Sequence, residues 1–139
     1  MGRMNMGRLI LGGLVAGVVG NVLHFVTGMY LTVDEMSDME RRLNLSHEAI
    51  NSSMATWIIV DFVWGLLLVF TYAAMRSRFG PGPKTAVVSG VTLWLAVCSV
   101  FAGLTAIGVY TEQAFIKESF LHLVTVLAAS LAGAYFYKE

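Results

Sequence analysis

Ser53-Met54-Ala55-Thr56-Trp57-Ile58-Ile59-Val60-Asp61-Phe62-Val63-Trp64-Gly65-Leu66-Leu67-Leu68-Val69-Phe70-Thr71-Tyr72-Ala73-Ala74-Met75 is a predominantly apolar run with one carboxylate inside it. From Glu48 to Arg76 the 27 intervening residues carry no formal charge but Asp61. A helix needs about 20 apolar residues to cross the hydrocarbon of a bilayer, so this run reads as a transmembrane helix. Working outward, 25 uncharged residues separate Arg8 from Asp34 and 27 separate Lys84 from Glu112. A fourth stretch, Ser119 to Tyr137, has 19 residues and just suffices. The sequence predicts an all-α, four-transmembrane-helix antiparallel bundle forming a single membrane domain over 1–139. Its spans are expected at about 8–32, 53–76, 84–110 and 116–137, with an outer loop at 33–52.

Composition agrees. Of the 139 residues 57% are hydrophobic and 13% charged, with a mean hydropathy of +0.72. Soluble domains carry about a quarter charged residues. Nine basic and nine acidic residues cancel, so no basic field invites nucleic acid. Short connectors leave no room for a soluble catalytic unit, and an enzymatic role is not indicated. The single cysteine, Cys98, excludes an intramolecular disulfide and a Cys-based zinc site. Arg3, Arg8 and the run Leu9 to Val19 resemble a signal peptide, but the apolar run continues to Val33 without a small-x-small cleavage site. An uncleaved span is expected.

Lys and Arg counts set the orientation. One side carries six (Arg3, Arg8, Arg76, Arg78, Lys84, Lys138) and the other three (Arg41, Arg42, Lys117). The positive-inside bias puts both termini in the cytoplasm and the 33–52 loop outside. In that loop Thr32 and Glu35 fit a capping box, and Met36, Met39, Glu40 and Leu43 follow helical spacing. Asn44 is placed to end this helix, and Ser46 to cap a second one that leads into the second span. The expectation is a short amphipathic helix on the outer face or over the bundle mouth; a plain surface connector is the alternative.

The cytoplasmic connector Arg76-Ser77-Arg78-Phe79-Gly80-Pro81-Gly82-Pro83-Lys84-Thr85 enforces a tight turn, with Pro83 suited to the start of the third helix. Arg76, Arg78 and Lys84 are suited to phosphate headgroups of the lipid bilayer. Gly82-Pro83-Lys84-Thr85 lacks the Gly directly before Lys that a nucleotide-binding loop requires, so no nucleotide is expected.

Three segments carry a resemblance: Gly7-Arg8-Leu9-Ile10-Leu11-Gly12-Gly13-Leu14-Val15-Ala16-Gly17, then Tyr72-Ala73-Ala74-Met75-Arg76-Ser77-Arg78-Phe79-Gly80-Pro81-Gly82-Pro83-Lys84-Thr85-Ala86, and Leu131-Ala132-Gly133-Ala134-Tyr135. Together they resemble a group of small four-span bacterial membrane proteins with an RxRFGPGPKTA-type cytoplasmic turn. The resemblance implies a multi-pass protein of the bacterial cytoplasmic (inner) membrane. It supplies neither an activity nor site residues.

Within the membrane, the first span lines up Gly13, Gly17, Gly20 or Asn21, and His24 on one face. Gly13-x-x-x-Gly17, with Gly20, reads as close helix packing. Asn21 and His24 ask for polar partners. Asp61 costs on the order of 3 kcal/mol on insertion scales, so it should face the bundle and be paired. Counted from the outer helix ends at ~1.5 Å per residue, His24 lies ~13 Å deep, Asp61 ~12 Å and His122 ~6 Å. All three therefore fall in the outer half, where Thr125 shares the face of His122. The candidate polar cluster is Asn21, His24, Asp61, His122 and Thr125. Its bland reading is a structural hydrogen-bonded cluster. A proton or ion relay is a second reading. A metal or haem held by His24, His122 and Asp61 is a third.

Three functions follow. The reading adopted at this level is a structural or accessory subunit acting through helix packing in a homo-oligomer or larger membrane complex, with no cofactor. Small-residue faces and minimal loops favour it. The alternative is a small proton-coupled channel or transporter using Asp61. The second alternative is a haem- or metal-holding redox protein using His24 and His122.

Overall fold

The computed structural model describes residues 4–138, which places Arg3 of the orientation count outside the described residues. Among them lie five helices and no strand: α1 (Met6–Tyr30), α2 (Val33–Leu43), α3 (His47–Phe79), α4 (Pro83–Ala106) and α5 (Glu112–Phe136). The four long ones, α1, α3, α4 and α5, are each apolar and long enough to cross a membrane.

Local signals explain the helix limits. Asn5 Oδ1 accepts from the Arg8 N–H at the start of α1, and Ser46 Oγ from the Ala49 N–H at the start of α3. α3 is 33 residues long. At ~1.5 Å per residue that exceeds the ~30 Å hydrocarbon, so its first turns stand outside any bilayer it crosses. Pro83 opens α4 at a first-turn position, where its missing N–H leaves no bond unmade. α4 ends at Ala106, short of residue 110. Gly108 adopts φ +85° there, and its N–H and that of Val109 bond back to the Thr105 and Leu104 carbonyls, which closes the helix.

The expected capping box at Thr32 does not form. Thr32 precedes α2, but its side chain makes no cap bond; its hydroxyl lies 3.5 Å from the Thr27 carbonyl that ends α1. α2 is instead stabilised by Asp34 and Glu35 in its first turn, Arg41 and Arg42 in its last, and Asn44 in the left-handed conformation at its end. It is fastened by polar bonds. Lys117 Nζ donates to Glu35 Oε1 at 2.7 Å, and the Arg42 guanidinium donates to the Gly108 and Val109 carbonyls at 3.1 and 3.0 Å. Val33, Met36 and Leu43 stay exposed.

Small residues set the packing. A Cβ at Gly17 would come within 2.9 Å of the Phe62 Cα, and one at Gly13 within 2.9 Å of the Leu66 Cα. Gly65 faces the backbone of Gly13 and Gly17 in return, so α1 and α3 meet almost backbone to backbone. Gly12 and Gly133 bring α1 and α5 together in the same way. Gly20, expected among the packing glycines, makes no such approach: a Cβ there would lie 4.0 Å from the Asp61 Cγ. Consecutive long helices run antiparallel, since 13, 17 and 21 on α1 meet 66, 62 and 58 on α3. α1 and α4 lie on opposite sides of the α3–α5 pair. Near the Gly80–Pro83 turn, Ser89 and Ser130 are fully buried. Ser89 Oγ reaches the Leu68 carbonyl at 3.2 Å, Ser130 Oγ the Ala86 carbonyl at 2.7 Å, and the hydroxyls lie 3.3 Å apart.

Candidate functional site

In the half of the bundle nearer α2, three helices bring their ionisable side chains together. His24 is held on α1 opposite α3, two turns beyond the Gly17 contact. Its Nδ1 lies 2.9 Å from Asp61 Oδ1 of α3, and its Nε2 lies 3.1 Å from His122 Nδ1 of α5. The imidazole planes are within 8° and their centroids 5.3 Å apart, so with nitrogens at contact distance the rings meet edge to edge. The result is a linear chain, Asp61–His24–His122. Asp61 is 12% exposed, as a carboxylate within an apolar run must be to keep its partner.

The other members of the expected cluster take different partners. Asn21 Nδ2 donates to the Gly17 carbonyl of its own helix at 3.0 Å and to the Ile58 carbonyl of α3 at 3.3 Å, which ties α1 to α3. Thr125 donates to the Leu121 carbonyl on its own helix. It also lines, with Gly20, His24, Asp61, Trp64 and His122, a narrow cavity of about 20 Å³. That is room for a single water. His122 Nε2 is buried and has no hydrogen-bond partner among the described residues.

Both His24 nitrogens are engaged, and among the described residues no three His, Cys, Asp or Glu side chains converge for metal binding. The imidazoles touch directly, leaving no width for a macrocycle between them.

Hydrogen-bond logic fixes what the chain can do. With Asp61 ionised and both imidazoles neutral, the Asp61 oxygen only accepts, so His24 carries its proton on Nδ1 and offers a lone pair at Nε2. His122 must then donate from Nδ1, which leaves His122 Nε2 a bare acceptor. One added proton at His122 Nε2 permits the reverse order. The His122 Nδ1 proton passes to His24 Nε2, the His24 Nδ1 proton passes to Asp61, and the chain goes from net charge −1 to 0. Both hydrogen bonds survive with donor and acceptor exchanged.

At the opposite end, Arg78 and Lys84 are exposed, but Arg76 is half-buried. Its guanidinium lies over the Tyr137 and Tyr72 rings at 5.3 and 5.9 Å, and its Nε and Nη1 have no hydrogen-bond partner among the described residues. Tyr72 lies one turn before Arg76 on the same helix, but no local pattern points to Tyr137, 61 positions away. Trp94 Nε1 donates to the Ser119 carbonyl at 2.8 Å, joining α4 to α5, as a packing tryptophan does.

Comparison with family models, curated proteins and solved structures finds no match to this chain.

Proposed function

We propose that this is a multi-pass protein of a bacterial cytoplasmic membrane that takes up and passes a proton through Asp61, His24 and His122, as a small proton-coupled channel or transporter does. The observation that carries it is the two-bond chain of three ionisable groups in the half of an apolar bundle nearer α2. The small-residue faces that favour a purely structural role at the sequence level lie inside the bundle, against α3 and α5. They therefore do not mark an outward docking surface. In the proposed orientation both termini are cytoplasmic and α2 lies outside, near the chain. Arg78 and Lys84 meet lipid phosphates, with Arg76 held at that level by its two tyrosines. The turn they frame supports kinship with the small four-span bacterial proteins.

The test is proton flux into vesicles holding the purified protein, read by a trapped pH dye. Asp61→Asn keeps a hydrogen-bonding group but cannot take the proton. It should abolish flux while the fold persists. Asp61→Leu should strand His24 and destabilise the bundle by roughly 1–3 kcal/mol. Equal flux from wild type and Asp61→Asn overturns the reading.

An accessory role in a homo-oligomer or larger complex keeps one specific support. Only 11% of the most apolar window of α4 is buried inside the bundle, against 28–33% for the other three spans. Cross-linking in native membranes through a cysteine at Ser99, on the exposed face of α4, tests it: a discrete adduct supports a partner there, and none argues for lipid.

A further inference from the structure

We propose that His122 Nε2 is a binding site for one small hydrogen-bond donor, water or ammonium, seated in the cavity between His122, Asp61, Trp64 and Thr125. Three observations converge. The nitrogen is buried and has no hydrogen-bond partner among the described residues. It belongs to a residue lining a cavity of about 20 Å³, the size of one water or one ammonium ion. And with both imidazoles neutral and Asp61 ionised, the hydrogen-bond order along Asp61–His24–His122 leaves a lone pair there, which a donor satisfies. A buried acceptor left unmet costs about 1–3 kcal/mol, which a seated donor removes.

The surroundings define the ligand further. The ionisable groups around His122 are His24 on α1, Asp61 on α3 and Glu118 one turn earlier on α5, while α4 presents Leu93 and Val97 to the cavity. With Asp61 ionised, the chain carries one negative charge and no cation balances it within the cavity. A donor that is itself positive gains Coulomb attraction; a neutral water gains the hydrogen bond alone. The site is also the entry point of the relay. A hydronium or ammonium ion there gives one proton to the Nε2 lone pair and departs as water or ammonia, and the proton moves on to Asp61 as described above. The site rests on the relay reading for the ionised resting state of Asp61.

The experiment is solid-state NMR of the full chain, labelled with 15N-histidine, in lipid bilayers at neutral pH, without and with ammonium chloride. The expected result is that His24 and His122 both carry their proton on Nδ1, and that His122 Nε2 is unprotonated and receives magnetisation from a bound donor. Transfer from water protons in the ammonium-free sample identifies water. A change at His122 Nε2 alone on adding ammonium identifies ammonium. Gly20→Ala, which adds to the cavity wall a methyl 4.0 Å from the Asp61 Cγ, should weaken that transfer and leave the His24–His122 bond intact. A resting proton on His122 Nε2, or a bare Nε2 with no transfer from either donor, overturns the site. Flux without an occupied site sinks this inference alone. An occupied site without flux sinks the transport reading and leaves the site standing.

Discussion

A methyl group added at Gly65 has nowhere to go. Its Cβ would meet the Gly13 carbonyl and lie 2.5 Å from the Gly17 nitrogen, both of them backbone. Overpacking of this kind costs typically ~1–3 kcal/mol, so Gly65→Ala should lower bundle stability by about that much in a detergent unfolding titration. Gly20→Ala, whose Cβ would make only an ordinary van der Waals contact with the Asp61 Cγ at 4.0 Å, should change stability by less than about 0.5 kcal/mol. At this scale the sequence was legible where chemistry is scarce. A single carboxylate in 27 residues had to find a partner, and two histidines at similar depth were the available candidates. It was not legible where several partners were equally open. Asn21 and Thr125 share the faces of His24 and His122, but each donates to a backbone carbonyl one turn back on its own helix, and Asn21 adds only the Ile58 backbone carbonyl of α3. Gly20 carries the same spacing as its packing neighbours, and only the position of α3 separates its role from theirs.

Among the elements, the long helices were readable from uncharged runs and from the starts at Ser46 and Pro83, and the end of α2 from Asn44. The attachment of α2 was not. Arg42 reaches carbonyls 66 and 67 positions away, and Lys117 meets Glu35 across 82. No local pattern encodes such pairs. The Glu35–Lys117 pair has a pH signature. The Lys117 hydrogen bond, followed by Glu35's own backbone bond, lowers the Glu35 carboxyl below its ordinary 4.5. A depressed carboxyl contributes stability that is present above pH 4.5 and lost as pH falls through the lower, folded value. Distances between spin labels on α2 and α5 should hence stay constant from pH 7 to 5 and broaden below about 4.5. In Glu35→Gln the acid step should disappear, leaving a distribution that no longer depends on pH in that range.

For the whole molecule, four apolar helices of sufficient length and an internal ionisable chain form one bundle, and their orientation is open to direct labelling. A cysteine at Ser37 should react with an impermeant reagent from outside intact cells, and one at Ser77 only after permeabilisation. The reverse pattern would invert the topology and move the chain to the cytoplasmic half. The central claim is that Asp61, His24 and His122 hold a proton as one unit, with Asp61 its final seat. Infrared difference spectroscopy of the protein in lipid, between neutral and acidic pH, reads that seat directly. The account predicts a protonated-carboxyl C=O band on acidification that Asp61→Asn lacks, and that shifts in frequency in His24→Gln because the carboxyl loses its imidazole partner. A band unchanged in Asp61→Asn, or none from the wild type, would contradict it.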